Sequence, residues 1–381
     1  MAGTPRCSRW TSRGRIVAPR KILIAGALGL VGRAAAEQFA KRRTSGEEPD
    51  LEVVGLSRRP PDFASAARFV SVDLRDRESV RRVLAHDRDV THLVYAALYE
   101  KPELVRGWFE ADHIETNRSM LENLLDAVES TCLEHVTLLQ GTKAYGAHLG
   151  RPIPLPARER RARAEHANFY FAQEDLLRER SDARDWSWTI LRPQVVTGVA
   201  VGSAMNIAAT LGAFAVLCRE LGRPLVHPGH EHGLGECTDA RLLARAVEWA
   251  AATPECAGEI YNITNGDVVA WRDWFPRIAA HFDVPLGEPQ PLSLVREMPG
   301  HVDTWRKLAA REALRCEDLD ALIGLSWQYA DMIWANPSAQ PRPALVSSIK
   351  ARQHGFGHCV DSEDALIEVF ELMQEQGYLP R

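Results

Sequence analysis

Residues 21–25, Lys-Ile-Leu-Ile-Ala, are an apolar run with no polar alternation. A run of that kind suits a strand covered on both faces, as in a parallel sheet. Gly26, Gly29 and Gly32 follow at intervals of three, and RAAAEQFAKRR then has the composition of a helix. Strand, glycine turn and helix in this order read as a dinucleotide-binding unit. Gly26 permits the tight turn, Gly29 lets the backbone approach a pyrophosphate, and Gly32 lets the helix lie close to the sheet. Leu30 stands at the start of that helix, whose N–H groups are presented to the phosphates.

Further runs repeat the theme. LEVVGLSRR (51–59) reads as a second parallel strand, and ARFVSVDLRD as a third before Asp73 and Leu74. THLVYAAL (91–98), EHVTLLQGTKAYG and SWTILRP (187–193) are the fourth, fifth and sixth. Helical patterns alternate with them: SVRRVLAHD, a stripe over 108–130, and NFYFAQEDLLRER from Asn168. From Gly202 the pattern changes to helices, with Asp239 at a helix start, a turn at Asn265-Gly266, the aromatic WQYADMIW and an amphipathic tail. The fold class is α/β: a Rossmann-like doubly wound parallel sheet with a smaller, mostly helical C-terminal substrate-binding region. The boundaries read as a flexible N-terminal extension at 1–20, a dinucleotide-binding domain at 21–200, and a substrate-binding region at 201–381 interleaved with returning core elements.

Composition narrows the partners without changing that picture. A formal charge of −5 over 381 residues gives no reason to expect nucleic acid. No apolar run reaches the length of a membrane span. The seven cysteines are odd in number and lack a CxxC pair, which argues against structural zinc or a disulfide framework and for a reducing cytoplasm. No metal site is expected. A homodimer stays open, because an apolar helix face serves a core or a subunit interface equally well.

Ligands of an open parallel sheet bind beyond the carboxyl ends of its strands, so the candidates for chemistry lie there. The second strand ends in Ser57, Arg58 and Arg59, where NAD binders often carry an acidic residue. A guanidinium holds a 2′-phosphate that a carboxylate would repel, which points to NADPH/NADP+. Asp73 either accepts from the adenine amino group, with Leu74 against the ring, or caps the next helix. Ala96 and Ala97 let the cofactor pass closely, Val195 leads toward the substrate side, and Asn117 is either a surface or structural asparagine or a brace for the active-site backbone. Lys143 and Tyr170 are the catalytic pair. A lysine ammonium stabilises a nearby phenolate, and the hydroxyl donates to an oxygen gaining charge as hydride arrives. The usual tyrosine and lysine four apart on one helix are absent, since Glu174 stands four beyond Tyr170. Met205, Phe214, Ser347 and Phe356 are candidate substrate contacts, with Trp305 and Ile349 as further wall residues.

The segments GALGLVG, SRR, LLQGTKAYG, NFYFAQED, LRPQVVTG, NITNGDVVAW and HGFG together resemble the progesterone 5β-reductase and iridoid synthase family. These are atypical members of the extended short-chain dehydrogenase/reductases, and the resemblance runs from Lys21 to the C-terminus. It implies NADPH-dependent 1,4-reduction of activated C=C bonds in enones or enals, with a small-molecule carbonyl-conjugated substrate. The lysine of the family's TGxKxY motif falls on Lys143 and the first tyrosine of its NFYY motif on Tyr170. Phe171 replaces the second tyrosine, and VYAALYE lacks the aromatic wording of the plant enzymes, so steroid or iridoid specificity does not carry over. Two alternatives stay open: a carbonyl reductase or alcohol dehydrogenase using the same residues, and a non-catalytic NADP-binding sensor. A nucleotide-sugar epimerase is a weaker reading without a local signal.

Overall fold

Lys21–Ala25 forms the central strand, β1, and every residue of it is buried. In the computed structural model six more strands join it: Glu52–Ser57 (β2), Arg68–Ser71 (β3), His92–Tyr95 (β4), His135–Leu139 (β5), Ser187–Pro193 (β6) and Glu259–Ile263 (β7). Their order is β7-β6-β5-β4-β1-β2-β3, and every neighbouring pair is parallel. The order reverses between β1 and β4, and this switch point opens a crevice at the carboxyl ends of the strands. The structure describes residues 20–129, 132–229, 233–334 and 343–381, with the backbone of a short antiparallel pair, Arg9–Thr11 and Gly14–Ile16. The extension expected at 1–20 lies largely outside the described residues.

The helices used below are Leu30–Thr44 (α1), Arg77–Val83 (α2), Ala111–Val128 (α3), Phe169–Asp182 (α4), Ile207–Glu220 (α5), Ala240–Ala252 (α6), Ser326–Ile333 (α7) and Ser362–Glu375 (α8). Side chains alternate across a strand, so β1 feeds two cores. Leu23 and Ala25 meet Val80 of α2, Leu121 and Leu124 of α3, and Leu176 of α4. Ile22 and Ile24 meet Ala36 and Phe39 of α1 and Leu243 and Val247 of α6 on the other face. A third core, built on α5 with Trp305, Trp327 of α7 and Phe370 of α8, makes the helical part. Polar N-caps set the helix starts: Asn168 accepts from the Tyr170 N–H at 3.0 Å and Asp239 from the Arg241 N–H at 2.7 Å. Strand β7 comes from beyond residue 201 and completes the edge of the sheet next to β6. Among the described residues no helix is long and apolar enough to cross a membrane.

Candidate active site

A cavity of about 1260 Å³ lies over the switch point and extends toward α7. Its first end is built mostly of backbone. Gly26 has φ +78°, and a Cβ there would stand 2.7 Å from Ala96 O and 2.8 Å from Ala97 Cα. Only glycine holds that conformation cheaply and leaves room for the next strand. A Cβ on Gly32 would stand 2.2 Å from Gly26 O, so α1 sits directly on the turn. Gly29 is the N-cap of α1 and provides no side-chain cap, and Gly29, Leu30 and Val31 line the cavity. The first N–H groups of α1 are thus left for an anion.

Ser57, Arg58 and Arg59 line the cavity at the end of β2. Arg59 Nη2 donates to Val201 O at 2.5 Å, whereas the exposed Arg58 guanidinium makes no hydrogen bond or ion pair among the described residues. Asp73 also lines the cavity, and Arg75 grips its carboxylate with Nη2 at 2.6 Å from Oδ2. That contact holds the Asp73 carboxyl below its usual range. Capping of α2 falls to Asp76 instead, which accepts from the Ser79 N–H at 3.0 Å. Leu74, Ala96 and Val195 complete this end; Val195 has φ +21°, a strained value for a β-branched residue.

The second end is built of buried charge. Lys143 sits in a single 3₁₀ turn, Thr142–Tyr145, directly after β5, and Tyr170 in the first turn of α4. Lys143 Nζ stands 3.9 Å above the Trp108 ring and 5.5 Å from the centre of the Tyr170 ring. Its counter-ion is Glu100, with Oε1 at 3.5 Å. Glu100 Oε2 accepts from Trp108 Nε1 at 2.9 Å and from His113 Nε2 at 3.0 Å. Burial lowers the affinity of Lys143 for its proton, and Glu100 pushes back. The Tyr170 hydroxyl lies over Gly141, where an added Cβ would come within 3.3 Å of it. Burial raises its pKa well above the ordinary tyrosine value; Glu100 and Tyr329 add to the shift, and Arg192 opposes it. The phenolate that a neighbouring lysine suggested is therefore not the stable form, and the group stands as a neutral donor.

The backbone around this pair is held from both sides. Asn117, fully buried in α3, accepts from the Tyr99 N–H at 2.9 Å and donates to Tyr99 O at 3.0 Å. Gln140 Nε2 donates to Tyr170 O at 2.9 Å, and Arg192 Nε donates to Gln140 Oε1 at 2.9 Å. Arg192 Nη2 then meets Glu174 Oε2 at 3.2 Å. Glu174, standing where a lysine would be expected, is the hub of an ion-pair cluster with Arg163, Arg178 and Arg192.

A family model described as a PRISE-like Rossmann-fold domain matches residues 79–325. The chain belongs to this family. A 3-oxo-Delta(4,5)-steroid 5-beta-reductase of Arabidopsis thaliana is 32% identical over 88% of this chain and 86% of its own. An (S)-8-oxocitronellyl enol synthase of Nepeta cataria is 30% identical over 91% of this chain and 89% of its own. A solved UDP-glucose 4-epimerase superposes with a TM-score of 0.67 at 16% identity, over 95% of this chain and 100% of its own. That last likeness is one of fold.

This PRISE-like chain brings most of the residues singled out by sequence to one place. Gly26, Gly29, Leu30, Ser57, Arg58, Arg59, Asp73, Leu74, Ala96, Val195, Lys143, Tyr170 and Met205 all line the cavity, and Gly32 lies just beneath its glycine turn. Three proposed substrate contacts do not reach it. Phe214 is buried in the helical core on α5, because the apolar side chains of that helix are consumed by packing. Ser347 accepts from Arg158 Nη1 at 3.0 Å and its carbonyl accepts from Asn262 Nδ2 at 3.1 Å, tying a loop to β7. Phe356 packs on Trp249, with ring centres 5.2 Å apart, behind the sheet. Trp305 is likewise core and Ile349 is surface. The wall is instead formed by Trp108, Trp271, Tyr329, Met332, Ile333 and Trp334. Four of these come from the aromatic stretch WQYADMIW, whose unusual density of large side chains was the available signal. Glu100 carried no signal at all, because a single carboxylate after a strand is common at surfaces.

Proposed function

We propose that the protein is an NADPH-dependent reductase of the C=C bond of conjugated enones or enals. The observation that carries this reading is a buried Tyr170, its hydroxyl over Gly141, on the wall of a cavity that begins at a glycine-turn dinucleotide cradle. The cradle fits the cofactor. A Cβ at Gly26 or Gly32 would destroy the turn, and the uncapped start of α1 faces the cavity. In this reading Arg58 pairs with the 2′-phosphate, Leu74 packs against the adenine and Asp73 accepts from its amino group. When bound, the nicotinamide supplies a hydride to the β-carbon of the conjugated system.

The chain's own part is to orient the substrate and hold the charge that develops. Trp108, Met205, Trp271, Met332 and Trp334 make an apolar wall that excludes water from a flat, hydrophobic carbonyl compound. Tyr170 donates its proton in a hydrogen bond to the carbonyl oxygen as that oxygen gains enolate charge. A donor fixed beforehand in a dry site contributes far more than one in water. Nothing in this step requires the phenol to ionise, which agrees with the raised pKa of Tyr170. The α-carbon is then protonated from solvent.

The test is oxidation of NADPH by the purified protein with cyclic enones, linear enals and saturated aldehydes, each followed by product identification. The saturated carbonyl compound is the expected product. Tyr170→Phe is expected to lower kcat by about 100-fold or more with cofactor affinity unchanged. An allylic alcohol as product would move the reading to a carbonyl reductase. Tight NADPH binding without turnover on any member would overturn the catalytic reading.

A further inference from the structure

We propose that Glu100 is a positioning residue for this reduction, acting through Lys143: it anchors the ammonium over the Trp108 ring and beside the Tyr170 ring. The proposal rests on the reductase reading. Its geometric basis is the way the carboxylate itself is fixed. Two N–H donors from different elements, Trp108 and His113 of α3, both converge on Oε2. Among the described residues Oε1 is buried with no hydrogen-bond partner, and it faces Lys143 Nζ at 3.5 Å. The Glu100 side chain is 5% exposed and that of Lys143 10%, so neither charge exchanges its partner for water.

Removing the carboxylate would strand a buried cation, which then sheds its proton more easily. The groups facing Lys143 are Glu100 from the loop after β4, with His113 of α3 behind it, His148 from the turn after β5, and Tyr170 of α4. Burial, with help from His166 and Lys143, pushes His148 down to about 3, so it stays neutral at working pH. Tyr170 is pushed up and stays protonated. The ionisation of Lys143 is therefore governed by burial on one side and Glu100 on the other. The sign follows: Glu100→Gln lowers the pH at which Lys143 loses its charge.

The decisive readout does not need turnover. The chain has six lysines, so the ε-carbon signals of isotopically labelled lysine are few, and Lys143 is identified by the signal missing from Lys143→Met. In Glu100→Gln the Lys143 titration is expected to fall by about one pH unit or more. Glu100→Asp, which restores the charge, is expected to bring it back toward the wild-type value. With a cyclic enone as substrate, kcat/KM of Glu100→Gln is expected to fall at alkaline pH with the same midpoint. An unchanged Lys143 titration overturns the ion pair as the anchor. A shifted titration with an unshifted kcat/KM profile overturns the role in the reduction. If Lys143 shifts but the wild type reduces no enone, the reductase reading falls and takes the role with it, while the ion pair stands.

Discussion

The two ends of the cavity are built from different materials. At the cofactor end, Gly26 and Gly32 work by lacking a side chain, and the shortest approaches are between backbone atoms. At the reaction end, Lys143, Tyr170, Glu174 and Arg192 are buried, as is the side chain of Glu100, and the site depends on how their charges are matched. Steric exclusion acts over a few tenths of an ångström and is indifferent to pH and salt. Buried charge acts over several ångströms and depends on every partner being present. The cofactor end should therefore fail locally and the reaction end collectively.

The largest effect is expected from the collective side. Glu174→Ala leaves Arg192, 5% exposed at its side chain, without its buried counter-ion. Breaking one partner from a buried pair costs about 3–5 kcal/mol, and a urea denaturation curve would show it. The pH dependence follows from the native carboxyl. Burial alone would raise its pKa, but Arg163, Arg192 and Arg178 outweigh burial and lower it. The cluster's stabilisation is thus complete above the unfolded glutamate value of about 4.3 and is lost as pH falls through the lower native value. Wild type should lose stability in that acid window and Glu174→Ala should be flatter across it. Equal slopes would mean that the cluster is not the source.

Next comes the steric side. In Gly32→Ala the new methyl meets the carbonyl of Gly26 and has no flexible side chain to displace. Overpacking of this kind costs about 3 kcal/mol at its upper range. The added loss should be local: cofactor affinity falls with the turn, while the loss of stability is the same at pH 5 and pH 8. A pH-dependent loss would break the distinction between the two ends.

The same contrast explains what the sequence made legible. Steric requirements leave a residue-type signature at fixed spacing, so Gly26, Gly29 and Gly32, the strand ends and the doubly wound parallel class of the sheet were readable from one chain. Lys143 and Tyr170 were readable because topology puts the end of β5 beside the start of α4. Glu100 was not, because its role arises only when Trp108, His113 and Lys143 are brought around it from separate elements. Phe214 misled for the complementary reason. A phenylalanine on an apolar helix looks the same whether it faces a ligand or a core, and only the surrounding core of Trp305 and Phe370 decides. Arg163, in the loop before α4, likewise gains its role only in the fold, where it pairs with Glu174 and Asp175.

The smallest expected effect separates two neighbouring residues that sequence treated alike. Arg58 and Arg59 both line the cavity, but Arg59 already donates to Val201 O. A guanidinium engaged with a carbonyl has fewer N–H groups to offer a phosphate, while Arg58 has all of them. A charge-assisted contact to a phosphate is worth about 1.5–3 kcal/mol net, so Arg58→Ala should weaken NADPH binding by about tenfold or more. NADH, which lacks the 2′-phosphate, should be unaffected by the same change. Arg59→Ala should weaken both cofactors by a similar small factor, since what it loses is the tether to Val201 at the mouth of the cavity. Titration of cofactor fluorescence with each variant decides the matter. If Arg59→Ala alone removed the preference for NADPH, the phosphate would lie on the Val201 side of the β2 end. The cofactor end would then depend on a shared carbonyl contact, as the reaction end depends on shared charges.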